Sequence, residues 1–180
     1  EYLNYILTSY SNELLQQIIG LVPQFKENDR FGSPLKAGYP IFGETSPTNL
    51  RYVKTLMDLV THGFDLNGKD VIEIGGGYGG QCLVLHKFFP NIKSYTILDL
   101  ENVSLLQGRY LKENGLNVTT SFLGAIPDRD YDFVMSNYAF SELTKELEDE
   151  YITRVIDRSK SGYFQMNPGT VQGYNKEDLI

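Results

Sequence analysis

Residues 71–80 read Val71-Ile72-Glu73-Ile74-Gly75-Gly76-Gly77-Tyr78-Gly79-Gly80, and the reading of this run decides the fold. Three β-branched residues around one carboxylate suit a buried strand. The glycines that follow are wanted for backbone reasons. They permit positive φ in a tight turn, let a ligand approach the main chain, and let a following helix pack close on the strand. Gly75, Gly77 and Gly80 satisfy G-x-G-x-x-G, a pattern that a plain turn also produces by chance. The second signal lies twenty residues past Gly79, where Tyr95-Thr96-Ile97-Leu98-Asp99 ends in a carboxylate. At the end of a neighbouring strand such a group can accept hydrogen bonds from both ribose hydroxyls of an adenosine.

Working outward, short apolar runs alternate with helical stretches, the mark of a parallel sheet with crossover helices. The spacing predicts strands at Asp70 to Ile74, Ser94 to Asp99, Val118 to Leu123, Tyr131 to Ser136 and Gly162 to Met166. Helices are expected at Gly79 to Phe89, Val103 to Asn114 and Glu142 to Ser159. Right-handed crossovers make this an α/β, Rossmann-like, doubly wound parallel sheet in the order 3-2-1-4-5, with its ligand crevice beyond the carboxyl ends of the strands.

Upstream, Leu3, Ile6, Leu7, Tyr10, Leu14, Leu15, Ile18 and Ile19 recur at helical spacing, so one amphipathic helix is expected from Tyr2 to Val22, ended by Gly20 and Pro23. Gln24 to Glu44 carries Gly32, Pro34, Gly38, Pro40 and Gly43 and reads as an irregular loop. Thr45 or Ser46 then caps a helix with Pro47 at its first position, running to Gly63. Residues 1–44 are thus expected to form a lid or interface segment, and residues 45–180 a cofactor-binding domain.

With 180 residues, 41% of them hydrophobic, the chain is sized for one domain with a core of its own. The single cysteine, Cys82, can close no internal disulfide and has no Cys/His cluster around it, which points to a reducing, cytoplasmic setting. Sixteen Lys and Arg against 23 Asp and Glu leave a net charge of −7, with no basic run, so nucleic acid is not the expected partner. No apolar stretch approaches a membrane span, and the first residues do not read as a signal peptide. The sequence begins without Met and reads as a processed or trimmed chain.

Two adenosine cofactors compete for such a fold. Dinucleotide enzymes normally enter the glycines through an entirely apolar strand and set a pyrophosphate on the helix N-terminus. Here Glu73 stands two residues before Gly75; aimed into the crevice, its carboxylate would repel a pyrophosphate and attract an ammonium. Glu73-x-Gly75-x-Gly77-x-Gly79 followed by Asp99 resembles the first two motifs of class I S-adenosylmethionine-dependent methyltransferases. More closely, Thr48-Asn49-Leu50-Arg51-Tyr52, the run 73–81, Ser94 to Leu100, Leu106-Gln107-Gly108-Arg109-Tyr110-Leu111 and Ser136 to Leu143 are similar to the sugar O-methyltransferases. The similarity covers roughly residues 45–170.

The resemblance implies a class I methyltransferase fold using S-adenosyl-L-methionine, with O-methylation of a hydroxyl on a sugar or glycosylated small molecule. Glu73 and the loop Gly75, Gly76, Gly77 and Gly79 would hold the methionine end, Asp99 the ribose, and Leu100 one face of adenine. Gly124, Ala125 and Ile126 would flank the other face. The fourth parallel strand would deliver Ser136, Asn137 and Tyr138 beside the sulfonium. A complete fold of this class ends in an antiparallel hairpin, and residues 167–180 are too few to build it with its helix. Either the C-terminal strands of the fold are missing from this sequence, or the fifth strand, with Tyr163, Phe164 and Met166, is expected at an edge covered by the N-terminal helix or by a partner subunit, as in a homo-oligomer.

Methyl transfer to a hydroxyl is an in-line displacement, so positioning does much of the work and a base must take the proton. His62 ends the helix before the first strand and His86 lies two turns into the helix after the glycines, both away from the crevice. Glu142, just past the fourth strand, is the candidate base, with Asn137 and Tyr138 orienting the acceptor; alternatively Ser141 caps a helix there and Glu142 only favours its dipole. Arg51, Glu44, Tyr39, Tyr78 and Gln81 are candidate acceptor-pocket residues. Asp128, Arg129, Asp130 and Asp132 read as a solvated turn rather than a metal site. A nicotinamide-dependent oxidoreductase and a non-catalytic adenosine-binding module are the rival functions.

Overall fold

The computed structural model describes residues 2–167. They form two compact units, residues 2–67 with 80–91, and residues 68–79 with 92–167.

The first unit is helical. The single helix expected over Tyr2 to Val22 is two, α1 (Tyr2–Ser9) and α2 (Asn12–Phe25). Ser11 breaks the run by capping α2, its hydroxyl accepting the Leu14 N–H at 3.2 Å, while the Tyr10 hydroxyl donates to Asp58 at 2.5 Å. Nor do Gly20 and Pro23 end α2. Leu14, Ile18, Val22 and Phe25 are one buried stripe, and burying it outweighs the poor helix propensity of those two residues. The stretch expected as irregular loop contains a 3-10 turn, Lys26–Arg30, and a hairpin of β1 (Ala37–Tyr39) and β2 (Gly43–Thr45). Buried Asp29 anchors it, accepting from the Thr45 hydroxyl at 2.6 Å and the Ser46 N–H at 2.9 Å. Ser46 caps α3 (Pro47–Thr61) with Pro47 in the first turn, and α4 (Gly80–Phe88) completes the unit.

The second unit carries the sheet. Five parallel strands, β3 (Asp70–Ile74), β4 (Ser94–Leu98), β5 (Thr119–Ser121), β6 (Phe133–Asn137) and β7 (Gly162–Gln165), lie in the order β5-β4-β3-β6-β7. This is the doubly wound order expected from the sequence. β5 is shorter than its apolar run, because Leu123–Ala125 turn into a 3-10 segment closed by the Ser121 hydroxyl donating to the Ala125 carbonyl at 2.6 Å. α5 (Glu101–Glu113) follows β4. The helix expected over Glu142 to Ser159 is three pieces: a 3-10 turn Ala139–Glu142, α6 (Lys145–Tyr151), and a π-helical turn Ile152–Ile156. Leu143 and Thr144 are extended between the first two.

Strand alternation gives the sheet two different faces. Ile72, Ile74, Leu98 and Val134 join Ile126, Tyr131, Phe140, Tyr151 and Val155 in one apolar core, against which Phe164 packs edge-on to Phe140 at 5.4 Å. Glu73, in register with Ile97 and Met135, points to the other face. The expected course of the chain beyond the fifth parallel strand falls on residues 168–180, outside the described residues.

Strand order reverses between β3 and β6, and Gly75 sits at that switch point. Its φ is +76° and its N–H donates to the Leu98 carbonyl at 2.8 Å. A Cβ there would lie 2.0 Å from the Ala139 Cβ. Gly75→Ala combines a left-handed backbone with a steric overlap and is expected to destabilise the fold by at least about 2 kcal/mol, read from urea denaturation.

Candidate active site

The order reversal opens a cavity of about 460 Å³ at the carboxyl ends of the strands, within the size range of small-molecule sites. Ile74 and Gly75 come from the end of β3, and Leu98 to Glu101 from the end of β4. Phe122, Leu123 and Gly124 follow β5; Ala139, Glu142, Leu143, Leu147 and Tyr151 follow β6. Among the described residues its charged lining is Asp99, Glu101 and Glu142, with no Lys, Arg or His.

Asp99 is held from three sides. Its Oδ1 accepts the Leu100 N–H at 2.8 Å, and its Oδ2 accepts the Gly77 N–H at 3.0 Å and a Gln107 Nε2–H at 2.9 Å. These donors fix the carboxylate rotamer and leave about one of its four acceptor sites, on Oδ1, unused. Leu100, 74% exposed, and Gly75 also line the cavity. Gly77 and Gly79 both have positive φ, and the Gly79 N–H closes the loop on the Gly76 carbonyl at 2.9 Å.

Of the expected cofactor contacts, Gly75, Asp99 and Leu100 line the cavity, whereas Glu73, Gly76, Gly77, Gly79, Ala125 and Ser136 do not. Glu73 does not line the cavity. It is 1% exposed on the opposite sheet face, under Gly76, where Tyr95 donates its hydroxyl to Oε2 at 2.9 Å. Burial pushes its carboxyl up to about 7, against the Tyr95 hydrogen bond, which favours the ion. Ser136 is fully buried and pins two strand ends together, donating to the Ile74 carbonyl at 2.8 Å and accepting the Phe140 N–H at 3.1 Å. Of the expected Gly124, Ala125 and Ile126, only Gly124 is in the lining, with Phe122 and Leu123 before it.

Glu142 reaches the cavity, but not from a helix start. It ends the 3-10 turn, Ser141 donates its hydroxyl to the Tyr138 carbonyl instead of capping a helix, and Glu142 Oε1 accepts from Asn167 Nδ2 at 2.8 Å. Tyr138 has φ +71°, rare for an aromatic residue and a feature that concentrates at functional sites. Its N–H donates to the Gln165 carbonyl at 2.6 Å. Asn137 pairs in register with Gln165, and both its amide atoms, like Gln165 Oε1, are out of water without a hydrogen-bond partner among the described residues.

Several candidates serve elsewhere. Gln81 is buried and donates to the Tyr52 carbonyl at 3.2 Å, Arg51 stacks over Tyr52, and Tyr78 packs edge-on to Tyr110 at 5.0 Å. Tyr39 lies on β1 and Glu44 on β2. His62 and His86 bond to carbonyls one turn back in their own helices. Arg158 pairs with Asp128 and Asp130, Lys160 with Asp132, and no metal-holding group of His, Cys, Asp or Glu occurs among the described residues. Sequence reasoning missed Gln107, Glu101 and Tyr151. Only Gln107 left a signal, a polar residue on the inward stripe of α5 with Ser104, Tyr110 and Leu111.

No family model matches the chain and no curated protein matches it. Among solved structures, an S-adenosylmethionine-dependent methyltransferase from Aquifex aeolicus superposes with TM-score 0.50 at 17% identity, over 68% of this chain and 70% of that one. A methyltransferase of the same cofactor class from Clostridium acetobutylicum gives 0.49 at 14% identity, over 65% and 48%. A candidate sarcosine dimethylglycine methyltransferase from Galdieria sulphuraria gives 0.47 at 26% identity, over 56% and 40%. The chain thus spans less than half the length of the last two. The Aquifex likeness is one of fold, and the sheet has the Rossmann-like fold of class I methyltransferases. No helix of the described residues is long and apolar enough to cross a membrane.

Buried Glu73 makes stability depend on pH. Its raised carboxyl keeps a proton in the folded chain that the unfolded chain has lost, so its stabilising share is complete below about pH 4.5 and fades as pH rises through about 7. Wild type is expected to lose on the order of 3 kcal/mol relative to Glu73→Gln across that window. Urea denaturation of both chains at pH 5, 6, 7 and 8 measures the difference.

Proposed function

We propose that the protein is an S-adenosylmethionine-dependent methyltransferase that methylates a hydroxyl of a sugar or glycosylated small molecule. The observation that carries the cofactor half is the acidic lining of the cavity: among the described residues three carboxylates and no cation line it. A pyrophosphate would meet uncompensated repulsion there, whereas a cationic sulfonium and ammonium are favoured, which sets the nicotinamide alternative aside. Asp99, braced by Gly77 and Gln107, suits a ribose diol. Leu100 and Phe122, Leu123 and Gly124 offer apolar and backbone surface for an adenine. S-adenosylmethionine in this cavity supplies an electrophilic methyl group.

Glu142 is the base in this reading, the acidic side chain that reaches the cavity from the β6 side. It takes the acceptor's hydroxyl proton onto a carboxylate oxygen as the oxygen attacks. Asn137, with both amide atoms unpaired, and Gln165 beside it have the donor and acceptor capacity that a polyol matches. Tyr138, strained at the turn leaving β6, holds these groups in place. The segments similar to sugar O-methyltransferases include both Asn137 and Glu142.

Calorimetry with S-adenosylhomocysteine tests the cofactor. Wild type is expected to bind it and not NAD, and Asp99→Ala to bind at least tenfold more weakly, since charge-assisted hydrogen bonds worth about 1.5–3 kcal/mol each are lost. Equal binding by wild type and Asp99→Ala would remove the site assignment.

A turnover assay against a panel of nucleotide sugars tests the base. Glu142→Gln is expected to keep the wild-type dissociation constant for S-adenosylhomocysteine and to lower turnover about 10²-fold or more.

A further inference from the structure

We infer that Gln107 is a positioning residue whose side-chain amide clamps the glycine loop to Asp99 and so sets recognition of the cofactor's ribose. The inference rests on the proposed S-adenosylmethionine site and deepens it.

Gln107 is completely buried on α5. Its Nε2 lies 2.7 Å from the Gly77 carbonyl and 2.9 Å from Asp99 Oδ2, and the same Oδ2 accepts the Gly77 N–H at 3.0 Å. The three groups close a ring. Gly77 donates to Asp99, and Gln107 donates both amide protons, one to Asp99 and one back to Gly77. The orientation of the amide follows from chemistry. Both neighbours are acceptors, so only the NH₂ end can face them, and Gln107 Oε1 is left without a hydrogen-bond partner. A buried amide that leaves its own oxygen unpaired to keep both protons on these two acceptors is held there by them.

The neighbours of Gln107 on α5 serve the same loop. Tyr110 packs edge-on against Tyr78 at 5.0 Å, and Leu111 sits 3.0 Å from where a Cβ on Gly79 would be. Three residues of one helix face thus seat Gly77, Tyr78 and Gly79 in turn. Gln107 also touches a cavity-lining group, Asp99. Without it, Asp99 Oδ2 keeps one donor where it had two, the Gly77 carbonyl is unpaired, and the carboxylate rotamer is free to leave the ribose position.

The test separates this role from general support. Dissociation constants for S-adenosylhomocysteine and its 2′,3′-dideoxy analogue are measured by calorimetry on wild type, Gln107→Leu and Asp99→Asn. In wild type the diol compound should bind at least tenfold more tightly. In Gln107→Leu that ratio should fall several-fold toward one, because the loss falls on the diol, and adding Asp99→Asn should lower it little further. Gln107→Asn keeps an amide in the buried position but is one methylene short of both acceptors, and must show the same fall if the leucine variant does not fold. An unchanged ratio, with both ligands weakened equally, would overturn the inference and leave Gln107 a packing residue. Failure of wild type to bind S-adenosylhomocysteine at all would instead overturn the cofactor reading on which it stands.

Discussion

The hydrogen bond from the Gly77 N–H to the Asp99 carboxylate joins the two strand ends on which the site is built. β3 and β4 are paired along their length, from Asp70 with Ser94 to Ile74 with Leu98. The Gly75 N–H on the Leu98 carbonyl continues the ladder one step, and Gly77 on Asp99 brings the loop back across the end of β4. The carboxylate is thereby aimed before any ligand arrives, and pre-aimed acceptors lose little freedom on binding.

Much of the surrounding packing maintains that arrangement. Gly75 lacks a Cβ because Ala139 stands at 2.0 Å from where one would be, which lets β6 close on β3. Ser136 ties the same two strands with its hydroxyl between the Ile74 carbonyl and the Phe140 N–H. Beneath the loop, Glu73 fills the space under Gly76 and Ile97 with a carboxyl that burial keeps largely protonated below neutral pH. The acidic side chains that line the cavity are then Asp99, Glu101 and Glu142.

Two expectations about carboxylates illustrate the limits of reading a site from spacing. Glu73 has the right place in the sequence to point into the crevice, but strand alternation puts it on the sheet face that also carries Ile97 and Met135, and it closes under the loop. The anionic character inferred from it holds for the cavity, and other residues provide it. The sequence puts Glu142 at a helix start, yet Leu143 and Thr144 are extended and α6 starts only at Lys145. The apolar period continues through that break, so periodicity alone carried the helix too far. The N-terminal pair α1 and α2 shows the reverse, since Ser11 breaks one period into two helices by a cap whose strength competes with continuation.

What the sequence by itself determined is the sheet: short apolar runs, glycines after the first and a carboxylate after the second are local features, and the five-strand order follows from crossover handedness. The positions of Asp99, Leu100 and Gly75 on the cavity follow from the same local logic, because strand ends in such a sheet share one edge. Tertiary structure decided which side chains finish the site. Gln107 is twenty-eight or more residues from the loop it clamps, Tyr151 enters from beyond β6, and Asn137 and Gln165 become neighbours only through the register of β6 and β7. Such contacts depend on the pairing of elements remote in sequence, and hydrophobic periodicity, which reports only the face an element buries, carries no information about its partner.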